Sequence, residues 1–160
     1  MKSVRAREAG WTAIEMMVVV LILAILAAFA APAMNQLIRT QKVRSAAYDI
    51  FSDLTYARSE AINRGHDILV SSSGGVDWVS GWALRDTVSG EVLRQQGALS
   101  SGITLVGDAG SVTYDRNGRI SGATNVRFNI APTESAPSNQ KRCVRVSPSG
   151  RPNAVEGVCP

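Results

Sequence analysis

Residues 7–37 read REAGWTAIEMMVVVLILAILAAFAAPAMNQL, and this segment decides the architecture of the chain. Residues 16–31 contain no polar side chain, and residues 11–31 approach the roughly 20 residues that span a bilayer as a helix. A single carboxylate, Glu15, stands at the entrance to this run. A charged side chain near the bilayer core costs about 2.5 to 3.5 kcal/mol on insertion scales and usually has a partner. Glu15 is therefore predicted to have a functional partner.

Two interpretations of the segment leave Glu15 unexplained. In the first, the segment is a secretory signal, with a basic start at Lys2, Arg5 and Arg7 and an A-x-A-like cleavage site at residues 28–30. In the second, it is a plain membrane anchor. Neither a signal core nor an anchor gains anything from a carboxylate at this position.

A third interpretation gives Glu15 a cation to pair with. If the chain is cut between Gly10 and Trp11, residues 1–10 are removed as a leader and Trp11 carries a free α-amine. The amine of a neighbouring chain can then pair with Glu15 and set the axial register between subunits, as buried polar groups do in coiled coils. The amine of the same chain is the weaker candidate. Residues 11–35 are then a membrane-spanning helix that also serves assembly.

The helical pattern continues beyond Pro32 in amphipathic form. One apolar stripe runs along residues 36–64 and predicts a helix that packs on a globular head, residues 36–160. The whole helix is predicted over residues 12–64, with a bend at Pro32 and a stop at Gly65. The stripe consists of Val43, Ala47, Ile50, Leu54, Ala57 and Ala61.

Residues 66–160 contain short strand-like runs separated by clusters of Gly, Asp, Asn and Ser, a pattern typical of an antiparallel sheet domain. Asn117-Gly118 is the best hairpin turn, and it is favoured over a calcium loop starting at Asp115 because the later ligands and the closing Glu are absent. Residues 131–140 are predicted to be a surface loop that is suited to partner contact. The predicted strands lie at 66–72, 78–85, 91–95, 103–106, 111–114, 119–120, 125–130 and 143–146.

The N-terminal residues resemble the class III signal of type IV prepilins and pseudopilins. A basic leader ends at Gly10, an aromatic residue follows the cut, a hydroxyl residue is second, Glu15 is fifth and Pro32 is twenty-second. Trp11 departs from the usual Phe, and Ala13 departs from the usual Leu. The resemblance implies cleavage by a prepilin peptidase after Gly10 and methylation of the Trp11 amine.

The head is similar to the H-type pseudopilin and FimT/FimU minor pilin family. The most specific motifs are ARSEA at 57–61, Gly81-Trp82 and SGR at 149–151. The resemblance implies an α+β fold, in which a long N-terminal helix packs on an antiparallel, β-sandwich-like head. It also implies a low-abundance subunit at or near the tip of a filament, with other major and minor pilins and an inner-membrane assembly platform as partners. Before assembly the chain is expected to cross the inner membrane once, with its head in the periplasm.

An enzymatic function is not predicted. The single histidine, His66, lies beside Asp67, and no second His or Cys is spaced to complete a metal site. No Ser stands in a Gly-x-Ser-x-Gly turn. We therefore predict no catalytic residue, no metal and no cofactor.

The two cysteines, Cys143 and Cys159, enclose fifteen residues. An even cysteine count in an exported chain favours a disulfide, worth about 3 kcal/mol for a loop of this length. Two free thiols or half of a metal site are the alternatives. The C-terminal cysteine pair is more typical of a type IV pilus subunit, which initiates or caps a retractable fibre. The alternative is an H-type pseudopilin of a type II secretion system.

Charge is distributed unevenly along the chain. Residues 11–115 hold seven Lys/Arg against ten Asp/Glu, a balance of −3, whereas residues 116–160 hold seven against two, a balance of +5. This basic region suggests weak binding of double-stranded DNA, a step in DNA uptake, or alternatively a solvated rim that faces acidic neighbours in the fibre. The candidate contacts are Lys141, Arg142, Arg145 and Arg151.

Related minor pilins that act as DNA receptors carry Gly-Arg-x-Arg in the C-terminal tail. Gly150 and Arg151 match the first half of this motif, but Asn153 stands where the second arginine belongs. The departure removes one expected phosphate contact. DNA is therefore predicted to bind through few contacts, and its affinity is predicted to depend on salt.

Overall fold

The computed structural model describes residues 11–122 and 125–160, apart from the side chains of residues 30–33. The predicted leader, residues 1–10, and the side chain of Pro32, where a bend is predicted, lie outside this description. The chain divides into two compact units with the boundary after Leu37. Each unit is described separately below.

One helix, α1, covers Ala13–Arg64 and confirms the predicted long helix. Its N-terminal part contains an 18-residue window of mean hydropathy 2.8, none of which is buried in the protein. By length and composition this part of α1 can cross a membrane. Its exposed Leu, Ile, Val and Met side chains are suited to a lipid or protein environment rather than to water.

The C-terminal part of α1 packs on the head through the predicted stripe. All six predicted stripe residues are at most 5% exposed, and Ala46 joins them. The helix ends as predicted at Gly65, which has φ +68° and donates its N–H to the Ala61 carbonyl at 3.1 Å. A glycine takes this left-handed conformation without the steric cost of a Cβ.

Eight antiparallel strands form the sheet against which this helix lies. Their order across the sheet is β5-β1-β2-β4-β6-β7-β8, and β3 pairs with β2. A short 3₁₀ helix, Ser138–Gln140, precedes β7. The strands are β1 (Ile68–Gly74), β2 (Asp77–Asp86), β3 (Val92–Gln96), β4 (Ile103–Gly107), β5 (Ser111–Tyr114), β6 (Val126–Pro132), β7 (Arg142–Val146) and β8 (Pro152–Glu156).

Two details of the sheet differ from the sequence-based prediction. The predicted strand at 119–120 is reduced to one bridge, between Tyr114 and Ile120. An edge strand that was not predicted, β8, pairs with β7 along its full length. It begins with a proline, which is tolerated at an edge because one side of an edge strand needs no hydrogen-bond donors.

The sheet consists of two four-stranded halves with a narrow connection. One half holds β5, β1, β2 and β3, and the other holds β4, β6, β7 and β8. Among the described residues, the pair Asp77–Val106 is the only paired position between β2 and β4. Side chains from both halves meet in one core, where Trp78 contacts Phe128 edge-on with ring centroids 4.9 Å apart.

Candidate functional sites: the helix start and the arginine face

The start of α1 is built as a capping box. The Thr12 N–H lies 3.4 Å from Glu15 Oε2, and the Glu15 N–H donates to Thr12 Oγ1 at 3.3 Å. Each side chain thus satisfies a backbone donor that has no partner inside the helix. Glu15 therefore has a local structural role in addition to the assembly role that we predict. The Thr-x-x-Glu spacing is the sequence signal for this cap, which was not predicted.

The ARSEA and SGR motifs meet at the Asn117-Gly118 turn. Arg58 Nε donates to the Gly118 carbonyl at 3.0 Å. Gly150, with φ +78°, lies against the same carbonyl, and a Cβ at this position would stand 1.8 Å from the Gly118 oxygen. The turn forms as predicted, and the Asp115 carboxylate accepts the N–H groups of Asn117 and Arg119. No metal-binding cluster of His, Cys, Asp or Glu is present in residues 11–122 and 125–160.

The Gly81-Trp82 motif serves the contact between the helix and the sheet. Gly81 has φ +97°, and a Cβ there would lie 2.4 Å from the Gln96 carbonyl of β3. The neighbouring Trp82 is fully buried and donates its Nε1–H to Asp53 of α1 at 2.8 Å. Arg94 donates to the other oxygen of the same carboxylate at 2.7 Å. Asp53 is therefore a buried acid with two partners.

His66 belongs to a charged cluster at the end of α1. Its Nδ1 lies 3.1 Å from Oδ2 of Asp86, which is 1% exposed. Burial alone would raise the pKa of Asp86, but hydrogen bonds from His66 and from the amides of Val88 and Ser89 outweigh it and hold this pKa well below its ordinary value. Arg64 reaches the same carboxylate at 3.5 Å. The cluster stabilises the helix end, and we assign it no catalytic role.

The basic C-terminal region does not form a single surface. Arg142 and Arg145 lie three residues apart on β7, so their side chains leave opposite faces of the sheet. Arg142 forms an ion pair with Glu156 at 3.3 Å, and its side chain is 13% exposed. Arg145 lies on the other face, opposite Arg127 of β6 and opposite Asn153 of β8. The structure therefore separates Arg142 from Arg145 and Arg151.

Arg145 shares its face with Arg127 and Arg151. These three arginines line an open cavity of about 810 Å³, together with Asn153 and Pro160. Like charges directly opposite each other on neighbouring strands are destabilising unless something neutralises them. Arg127 has Asp108 at 2.8 Å, whereas no acidic group of the described residues pairs with Arg145 or Arg151. We name this set of Arg127, Arg145 and Arg151 the arginine face.

A disulfide joins Cys143 of β7 to Cys159, in agreement with the prediction. Cys143 is fully buried, and the peptide N–H of Cys159 donates to Asn129 Oδ1 of β6 at 3.0 Å. The tail thus folds back over β7 and β6, beside the arginine face. Arg127 was counted in the basic region but was not among the predicted contacts, because its neighbours on adjacent strands are distant in sequence.

Comparison with known proteins identifies relatives of the head. The sequence profile described as type II transport protein GspH matches residues 46–150, about two thirds of the chain. We found no significant match among proteins of curated function.

Solved structures of two kinds are similar to the chain. The type IV minor pilin FimU of Pseudomonas aeruginosa, in one crystal form, is 25% identical with a TM-score of 0.61, covering 70% of this chain and 91% of its own. A second FimU crystal form is 24% identical with a TM-score of 0.63, covering 75% and 90%. The minor pseudopilin EpsH of the Vibrio cholerae Type 2 Secretion System is 17% identical with a TM-score of 0.56, covering 72% and 97%. With the profile match over most of the head, the chain belongs to the GspH family of minor pilins and pseudopilins.

Proposed function

We propose that this protein is a minor pilin of a type IV pilus, assembled at or near the tip, where it initiates or primes fibre assembly. The observation that carries the proposal is the combination of an exposed apolar helix that has Glu15 in its first turn with a head of the GspH family. The similarity to FimU, at 25% identity, is higher than that to EpsH, at 17%, and favours the pilus. A role as H-type pseudopilin in type II secretion is the alternative.

In this proposal the apolar part of α1 anchors the chain in the inner membrane before assembly, and the head lies in the periplasm. The assembly platform moves the chain into the fibre, where other pilins replace lipid around the exposed apolar side chains. The surface loop that contains Glu134 is one contact site for these neighbours, although Glu134 already pairs with Arg39 of α1. Loss of this gene product is expected to impair twitching motility if the fibre is a pilus, and protein secretion if it is a pseudopilus.

The first prediction concerns maturation by prepilin peptidase. We expect the mature protein to begin at Trp11 with a methylated amine, because the cut after Gly10 supplies the cation that Glu15 needs at the fibre interface. Intact-mass measurement and N-terminal sequencing of membrane-extracted protein test this expectation. A mature chain that begins at Ala31, after the A-x-A-like sequence, would show instead that the segment is a secretory signal.

The second prediction separates the two roles of Glu15. Glu15→Gln keeps an oxygen acceptor for the Thr12 N–H but removes the charge, whereas Thr12→Ala removes the hydroxyl cap, worth about 1 kcal/mol, and keeps the charge. Removing one partner of a desolvated ion pair costs about 3 to 5 kcal/mol. We therefore expect Glu15→Gln to lower incorporation into fibres about a hundredfold or more, and Thr12→Ala to lower it only slightly.

Quantitative immunoblotting of sheared fibres and of membranes measures incorporation for the two variants. Both variants are expected to insert in the membrane and to keep a folded head, because neither Thr12 nor Glu15 belongs to the core of the head. If Glu15→Gln and the unmodified chain are incorporated equally, the charge of Glu15 is not required for assembly. Equal loss in both variants would assign the effect to the helix cap.

A second candidate function, binding of double-stranded DNA, is favoured by the arginine face. Arg145 and Arg151 have no acidic partner among the described residues, and Arg127 lies directly opposite Arg145. Backbone phosphates would neutralise this concentration of charge without reading sequence. The proposal replaces the predicted contact Arg142, which lies on the other face of the sheet, by Arg127, which lines the same cavity as Arg145 and Arg151. Lys141 precedes β7 and does not line the cavity.

The third prediction is therefore a weak, salt-dependent affinity for duplex DNA. Two or three phosphate contacts imply a slope of about −2 to −3 when the logarithm of the association constant is plotted against that of salt concentration. Arg145→Gln combined with Arg151→Gln should reduce this slope by about two on every duplex sequence. Fluorescence anisotropy with the chain in uncharged detergent micelles measures the slope. Arg116→Gln, an exposed residue of the Asp115 turn, is the charge-matched control and should change the slope little.

A further inference from the structure

Several contacts hold the tail that follows β8 across the face of the sheet that carries Cys143 and Arg145. The Gly157 N–H donates to the Lys141 carbonyl at 3.0 Å. The disulfide then fixes Cys159 to Cys143 of β7, and the Cys159 N–H reaches Asn129 of β6. Because Cys143 and Asn129 are directly opposite each other on β7 and β6, the tail crosses the sheet at this residue pair.

The next pair along the same two strands on this face is Arg145 with Arg127. The residue after Cys159, Pro160, presents its main-chain oxygen to Arg127 Nη1 at 2.8 Å. Pro160 also lines the cavity of the arginine face. Cys143 of the disulfide therefore lies two residues from Arg145 on the same face of β7, and the tail that the disulfide holds forms one wall of the cavity.

Arg127 is the arginine that this arrangement orients. Its Nε donates to Asp108 at 2.8 Å, and its Nη1 donates to Pro160. The side chain is 45% exposed, so without these two acceptors it would sample many rotamers and would move away from the like charge of Arg145. With both acceptors in place the guanidinium is fixed beside the cavity, and its remaining donors are available to an oxyanion.

We propose that the Cys143–Cys159 disulfide is a positioning element for a phosphate-binding site on the arginine face. The disulfide holds the tail so that the Pro160 oxygen fixes Arg127 beside Arg145 and Arg151, and this preorganised set binds phosphate groups. The inference rests on the proposed polyanion binding and adds the control of that site by a covalent bond. Immobilising one flexible side chain before binding changes affinity by about three- to tenfold.

Reduction by a dithiol tests the proposal directly. The dithiol cleaves the S–S bond to two cysteine thiols and is itself oxidised to a cyclic disulfide, and the tail then keeps only its hydrogen bonds. We expect the reduced chain to bind duplex DNA about three- to tenfold more weakly than the oxidised chain at the same salt. If Arg127 no longer contacts phosphate, the salt slope should also fall by about one.

The experiment uses the full chain in uncharged detergent micelles, with two phosphate probes. A labelled duplex and inorganic pyrophosphate distinguish a site that needs the DNA backbone from one that binds a free phosphate group. Fluorescence of the buried Trp78 and Trp82 verifies that the reduced head remains folded. If it does not, Asn129→Ala removes one anchor of the tail and leaves the disulfide in place, and it should produce the same direction of change.

The outcomes separate the two proposals. The positioning role is supported if reduction weakens the binding of either probe by the unmodified chain but does not weaken binding by the Arg127→Gln variant. Equal or tighter binding after reduction overturns this role and leaves polyanion binding intact. Failure of the oxidised chain to bind either probe at low salt overturns polyanion binding and, with it, the site that the disulfide was proposed to position.

Discussion

Gly150→Ala is expected to lower the free energy of unfolding of the head by about 2 to 5 kcal/mol. At φ +78° an L-residue costs about 1 to 2 kcal/mol more than glycine, and the added Cβ would stand 1.8 Å from the Gly118 oxygen. That oxygen belongs to the backbone and accepts a hydrogen bond from Arg58, so it cannot move without breaking this contact. The overpacking adds about 1 to 3 kcal/mol.

Chemical denaturation monitored by tryptophan fluorescence measures this loss. Gly90→Ala is a matched control, because Gly90 has φ +74° but no atom within 4 Å of an added Cβ. The control should therefore lose only the conformational part, about 1 to 2 kcal/mol. Equal losses in the two variants would mean that the β7–β8 turn moves away from Gly118 without cost.

Asp53→Ala is expected to cost about 2 to 3 kcal/mol. The substitution leaves the Trp82 Nε1–H buried without an acceptor, and an unsatisfied buried donor costs about 1 to 3 kcal/mol. The lost ion pair with Arg94 contributes little to this figure, since Arg94 is 45% exposed and stays hydrated. Asp53→Asn retains an acceptor for the indole and should cost about 1 kcal/mol.

Asp49, one helical turn before Asp53, provides the control. Burial and the nearby charge of Asp53 raise the pKa of Asp49, which indicates that its ionised form is disfavoured at this place. We therefore expect Asp49→Ala to leave the unfolding free energy unchanged or to raise it slightly. Denaturation of the three variants under one set of conditions decides the matter, and a cost for Asp49→Ala equal to that of Asp53→Ala would contradict the assignment.

The sequence was sufficient to predict the long helix, its buried stripe and most strands. Periodicity carries this information locally, as the burial of Val43, Ile50 and Leu54 confirms. The edge strand β8 was missed because it begins with Pro152 and has few apolar residues. Its position is determined by pairing with β7, which is a contact between segments and not a property of its own residues.

The arginine face was also only partly predictable, because it too depends on pairing between segments that are distant in sequence. Sequence proximity grouped Arg142 with Arg145, although strand alternation sends their side chains to opposite faces. Arg127 joins Arg145 only through the register of β6 with β7. Register is set by the hydrophobic patterns of both strands and by the connecting turns, so neither strand alone indicates it. The Thr12–Glu15 cap, in contrast, was readable from its spacing.

The narrow connection between the two halves of the sheet has a mechanical consequence. The backbone joins the halves there only through the pair Asp77–Val106 and the Gly107 N–H that donates to the Val76 carbonyl, among the described residues of β2, β4 and the turn before β2. The halves are therefore also held together by what packs across them: the core face of α1 and the contact of Trp78 with Phe128. Arg39 and Lys42 of α1 also bind Glu134 and the Ser101 carbonyl beside the second half. A force applied to the C-terminal part of α1 is therefore distributed over both halves of the sheet at once, because this part of the helix contacts each of them.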